Sequence, residues 1–144
     1  MRRRLMLTGM LAMPSLALAQ RTPPPHAWIF GSWTGGQFPA GDSSGPECFG
    51  NPTVVFTREL VMRATALDLT MRQRSIETVA LAPNGLEFRL MPLGGQGTRI
   101  PADYGFGCGG NPNLLRVERK GPNEITFPGC REFPSPLKRC TTAP

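Results

Sequence analysis

Glycine and proline set the limits on what this chain can fold into. They number 17 and 16 among 144 residues, about 23% together, where about 12% is usual. Proline removes an amide donor and clashes with the preceding helical turn, and glycine costs about 1 kcal/mol relative to alanine in a helix interior. A long helical bundle or coiled coil is therefore excluded. The hydrophobic fraction, 40%, is too high for a purely disordered chain. The length suits one domain rather than a large two-domain enzyme. The breakers fall in an N-terminal arm, between short apolar stretches, and in a C-terminal tail.

Residues 1–19 read as a secretory signal. Arg2, Arg3 and Arg4 form a basic start, Leu5 to Leu18 an apolar run, and Ala17-Leu18-Ala19 a small-x-small cleavage signal before Gln20. The run, about 14 residues, falls short of the roughly 20 that span a bilayer, and Pro14 interrupts it. Membrane insertion is not expected. The expected product is exported, periplasmic or secreted, with cleavage near Ala19. The three leader arginines account for half of the formal charge of +6. The basic residues from Arg58 to Arg99 are interspersed with Glu59, Asp68, Glu77 and Glu87. A nucleic-acid binder would cluster its charge on one stripe, so no nucleic-acid partner is expected.

Cys48, Cys108, Cys130 and Cys140 all lie beyond the leader. An even count in an exported chain points to two disulfides, for which three pairings exist. A metal site is not assigned, because no C-x-x-C pair is present and the single His26 sits in the arm. Cys48-Phe49-Gly50-Asn51-Pro52 and Cys108-Gly109-Gly110-Asn111-Pro112 share a C-x-G-N-P pattern before two apolar residues. This echo favours Cys48–Cys108, joining two strand entries, and leaves Cys130–Cys140 to tie down the tail.

The chain divides into a Pro-rich arm over 20–26 and a single β domain over 27–144 with a disulfide-bounded tail. The arm favours an extended polyproline conformation. Strands are expected at Ala27 to Phe38, at Val54 to Thr57, and over the stretch 59–73. Two hairpins are clearer. Glu77 to Leu81 and Leu86 to Leu90 flank the turn Ala82-Pro83-Asn84-Gly85, with apolar and charged residues alternating. Leu115 to Arg119 and Ile125 to Phe127 flank Lys120-Gly121-Pro122-Asn123. Residues 92–112 read as loop. Seven to eight short strands without a strong helix predict an all-β fold, a small antiparallel β-barrel or sandwich with two disulfides.

Two motifs dissolve on inspection. Gly41-Asp42-Ser43-Ser44-Gly45 resembles the surroundings of a serine-protease nucleophile, but no histidine is placed to activate the serine. Gly105-Phe106-Gly107-Cys108-Gly109-Gly110 matches G-x-G-x-x-G, but Pro112 and an expected strand follow where a phosphate-binding helix belongs. Its glycines suit positive φ in a disulfide-bounded loop. No catalytic, cofactor or metal residue is assigned.

Gly31-Ser32-Trp33 carries more information. It resembles the G-x-W signature on the first strand of calycin-like barrels: lipocalins, avidins and small periplasmic inhibitors of bacterial metalloproteases. The resemblance implies a barrel in which Trp33 plugs one end against a basic residue from a late strand, with Arg116, Arg119 or Arg131 as candidates. Gly31 and Trp33 are then structural residues. Phe30, Phe56, Phe88 and Phe127 are inward candidates that line a ligand pocket or build the core. The leading expectation is an exported, non-catalytic binding protein for a small apolar ligand or a protein partner. The alternative is an inhibitor of secreted proteases acting through its N-terminal arm. A third reading is a small hydrolase whose site no motif marks.

Overall fold

The computed structural model describes residues 22–35, 48, 53–65, 68–93, 106–130 and 133–141. Eight strands run β1 Gly31–Gly35, β2 Val54–Phe56, β3 Leu60–Thr65, β4 Asp68–Ala82, β5 Gly85–Leu90, β6 Leu114–Gly121, β7 Glu124–Thr126 and β8 Leu137–Arg139. Each pairs antiparallel with its sequence neighbour, and β8 pairs back onto β1, so the sheet closes into a barrel. The leader 1–19 and the motif 41–45 lie outside the described residues.

Alternation drives this architecture. Leu86, Phe88 and Leu90 on β5 and Leu115 and Val117 on β6 are buried, whereas Arg89 and Arg116 between them face solvent. The register Leu86↔Val117 and Phe88↔Leu115 puts the buried sets on one face. Both hairpins expected from the sequence are present, as β4–β5 and β6–β7.

Three boundaries differ from the sequence reading. The first strand begins at Gly31, not Ala27. Amides of Ala27, Ile29 and Phe30 donate to the carbonyls of Pro24, His26 and Ala27 at 2.9, 3.1 and 3.2 Å, winding a 3-10 turn over Ala27–Ile29. Gly31, at φ 118°, turns the chain from it into β1, a conformation that L side chains rarely adopt. The stretch 59–73 is a hairpin of β3 and the first half of β4, with the polar run Arg72–Ser75 inside a continuous β4. The tail contributes β8, a strand of three residues that pairs with β1 and β7 and closes the barrel.

The disulfide pairing is also corrected. Cys48 bonds Cys140, and Cys108 bonds Cys130. The β6–β7 hairpin explains the second bond. It brings the residues before β6 beside those after β7, and the Gly109 amide donates to the Gly129 carbonyl at 2.8 Å. In this loop Gly109 and Gly110 adopt φ 60° and 79°. Strands follow both C-x-G-N-P motifs, at Val54 and Leu114, but their cysteines are not joined to each other. Two disulfides fit an oxidising compartment outside the cytosol. Among the described residues no helix is long and apolar enough to cross a membrane.

Chain-entropy arguments rank the two bonds. Their sequence separations are 92 and 22 residues, which corresponds to about 4.6 and about 3.4 kcal/mol respectively. The Cys48→Ser/Cys140→Ser pair is therefore expected to lower the denaturant midpoint more than Cys108→Ser/Cys130→Ser. Chemical unfolding of the two double variants checks the order.

Candidate functional site at the arm end of the barrel

Aromatic rings stack through the buried core of the described residues. Phe56 lies 5.4 Å from Phe88 and 6.4 Å from Phe127, and Phe127 lies 4.3 Å from Phe133. Phe56 and Phe88 are completely buried, with Phe127 nearly so. Phe30 stands outside this stack, half-buried, with its ring 5.3 Å from His26. At the far end Arg74 is buried. Its guanidinium donates to the carbonyls of Pro112 and Met91 at 3.0 and 2.8 Å and to Asn113 Oδ1 at 2.7 Å. Its charge lies 5.9 Å from the Phe106 ring centroid.

Trp33 seals the arm end. Its indole Nε1 donates to the Ile29 carbonyl at 2.9 Å, and it has no exposed surface. The basic residue against it is Arg139, whose guanidinium carbon sits 4.3 Å from the ring centroid. This corrects the candidates taken from the resemblance. Arg116 instead pairs with Glu87 at 3.1 Å on the surface, Arg119 stacks on Trp28 at 4.8 Å, and Arg131 lies outside the described residues. The register explains the choice: Trp33 and Arg139 are direct cross-strand partners on β1 and β8. Arg139 also donates to the Phe30 carbonyl at 2.8 Å and to the Trp28 carbonyl. Burial, and secondarily the nearby Arg119, push its guanidinium down from the ordinary value.

An open groove of about 370 Å³ lies beside this plug, lined by Trp28, Arg119 and the hairpin end from Leu81 to Gly85. Leu81 is in register with buried Leu86 on the core face, yet it is 67% exposed because the hairpin end overhangs the barrel. Arg119 contributes the groove's single ionisable group. The surface thus joins an indole, aliphatic side chains and a cation, which suits an apolar group carrying a negative charge.

The arm closes the same end. His26 packs edge-on against Phe30 and, at 6.4 Å, against Phe88. Its Nε2 is buried without a hydrogen-bond partner. Desolvation, then the positive charge of Arg58, hold its pKa below 6.5. Among the described residues no cluster of His, Cys, Asp or Glu could hold a metal ion.

Sequence reasoning named Trp33 and Gly31 but missed Trp28, Leu81 and Arg139. Trp28 and Leu81 were absorbed into strands, and Arg139 lay in the tail. Arg119 was named, for a different contact. The eight-stranded antiparallel barrel is consistent with a calycin-like fold in general. No protein-family model, no curated protein and no solved structure matches the chain.

Two outcomes follow from this geometry. Arg139→Met removes a desolvated cation–π contact and two charge-assisted hydrogen bonds, and is expected to cost about 3 kcal/mol in urea unfolding. Arg116→Ala, at an exposed ion pair, is expected to change stability by less than about 0.5 kcal/mol in the same experiment. The pH response has a fixed sign. A histidine whose folded pKa lies below 6.5 binds fewer protons folded than unfolded, so stability falls as pH drops below 6.5 through the folded pKa. Unfolding midpoints measured between neutral and mildly acidic pH should show this loss, and His26→Gln should flatten that part of the profile.

Proposed function

We propose that this protein is an exported binding protein that engages its target at the arm-end groove, with the barrel serving as a packed scaffold. The carrying observation is the contrast between inside and outside. Phe56, Phe88 and Phe127 occupy the interior, whereas Trp28, Leu81 and Arg119 line an open groove. A ligand entering the barrel would have to displace core phenylalanines, each worth about 3–5 kcal/mol by truncation. A ligand or partner segment at the groove displaces only water. The leader-like residues 1–19 and the two disulfides support export.

The groove's composition selects the target chemistry: an apolar body on Trp28 and Leu81, and an anion within reach of Arg119. Anilinonaphthalenesulfonate, an aryl anion, is a suitable probe. Saturable one-to-one binding to the natively folded protein is expected. Trp28→Ala and Arg119→Ala should each weaken it about tenfold or more, the equivalent of about 1.4 kcal/mol. Phe88→Leu, which opens space inside the barrel, should leave it unchanged. Binding that survives both groove substitutions would overturn the reading.

A further inference from the structure

The β4–β5 hairpin carries a sheet edge that no strand among the described residues covers. β3 follows β4 only as far as Leu60↔Ser75. The last backbone bond on that side runs from the Ile76 amide to the Glu59 carbonyl at 2.8 Å. Beyond Ile76, β4 pairs with β5 alone, through Thr78↔Arg89 to Ala82↔Gly85. The segment Thr78-Val79-Ala80-Leu81-Ala82 contains no charge and no proline. Natural edge strands are usually protected by lysine, proline or a bulge. Here a register shift at Ile76/Thr78 and Pro83 bound the segment without interrupting it. Thr78, Ala80, Leu81 and Ala82 are all exposed, and only Val79 is half-buried.

We propose that this edge pairs, antiparallel, with the same edge of a second copy of the chain. The segment is self-complementary. A two-fold axis at Ala80 places Ala80 opposite its counterpart, Val79 opposite Leu81, and Thr78 opposite Ala82. Such an interface uses one patch twice. On the core face, two Val79–Leu81 pairs form an apolar strip. On the other face the small side chains of Thr78, Ala80 and Ala82 meet without crowding.

Charge points to the same occupant. Along β4 itself the ionisable residue nearest the segment is Glu77, which falls opposite Pro83 at each end of the paired strands, while Arg89 and Glu87 stand one strand away, opposite Thr78 and Ala80. The two carboxylates then stand about 20 Å apart along six residue steps, beyond the screening length of about 8 Å. The segment itself carries no charge, and the two charges beside it on β5, Glu87 and Arg89, are of opposite sign, so it favours neither an acidic nor a basic partner. It matches an uncharged, β-prone strand, and the chain supplies one in its own β4. The edge shares Leu81 and Ala82 with the groove, but its argument does not rest on the groove reading, and Ala80, the residue substituted below, alternates away from Leu81 and does not line the groove.

The test uses the oxidised, full-length protein. Sedimentation equilibrium over a dilution series should show a reversible monomer–dimer equilibrium. Ala80→Lys or Ala80→Glu alone places like charges opposite each other and should abolish the dimer. Because Ala80 is exposed, both variants should retain the wild-type circular dichroism spectrum and dye binding. Mixing the two variants should restore a dimer containing one of each. A wild-type protein that stays monomeric through the high-micromolar range would overturn the proposal. So would a dimer that survives either single substitution, or a mixture that fails to reassociate.

Discussion

The barrel closes through a strand too short to hold itself, and the Arg139 guanidinium makes up the difference. β8 spans three residues and shares two register pairs with β7 and three with β1. Ladder hydrogen bonds contribute only about 1 kcal/mol each in net terms, so so few would leave the seam frayed. Arg139 stacks its charge on Trp33 from the neighbouring strand and bonds the carbonyls of Trp28, in the 3-10 turn, and of Phe30 just after it. One side chain therefore ties the last strand, the first strand and the 3-10 turn before it together. The next residue, Cys140, fixes the same end by disulfide and by its amide bond to the Ser32 carbonyl at 2.9 Å. The cost is visible in the lowered pKa of the guanidinium, and backbone carbonyls supply the compensating dipoles.

Arg74 repeats this device at the opposite end, with Phe106 in place of Trp33 and the carbonyls of Pro112 and Met91 in place of those of Trp28 and Phe30. Between the two cations runs a chain of ring contacts from His26 through Phe88, Phe56, Phe127 and Phe133 to Phe106. Aromatic contacts of this kind contribute about 0.5–1.5 kcal/mol each beyond burial. A column packed this way stabilises the barrel from within.

Much of the fold was legible because its strongest hairpins alternate cleanly. Leu86-Glu87-Phe88-Arg89-Leu90 and Leu115-Arg116-Val117 each write one wet and one dry face. What failed were features without local signals. The β3–β4 turn contains neither glycine nor proline, so two strands read as one stretch. β8 offers three residues between Pro136 and Cys140, too few for periodicity to register, and missing it concealed the partner of Trp33. The Cys108–Cys130 bond was within reach, since the β6–β7 hairpin already placed both cysteines at one end. A repeated turn motif outweighed that topology, although shared turn chemistry says nothing about which strands are neighbours. The groove was hidden for a different reason: it depends on an overhang, which is a property of strand lengths compared across the sheet.

That overhang generates both external features. β4 has 15 residues, whereas β3 and β5 have six each. Its first half serves β3 and its second half serves β5, so the second half leaves β3 behind. On the core-facing side this exposes Leu81 beside Trp28 and Arg119, making the groove. Along the margin it leaves the backbone from Thr78 to Ala82 without a strand neighbour on that side among the described residues. Leu81 adds little to the stability of an isolated monomer, because a side chain that is 67% exposed gains little of the 1.5–3 kcal/mol that full burial supplies. Its apolar surface gains that energy only when something covers it. Dimer pairing and groove binding would both draw on Leu81, the first also through the backbone margin and the second also through Trp28 and Arg119.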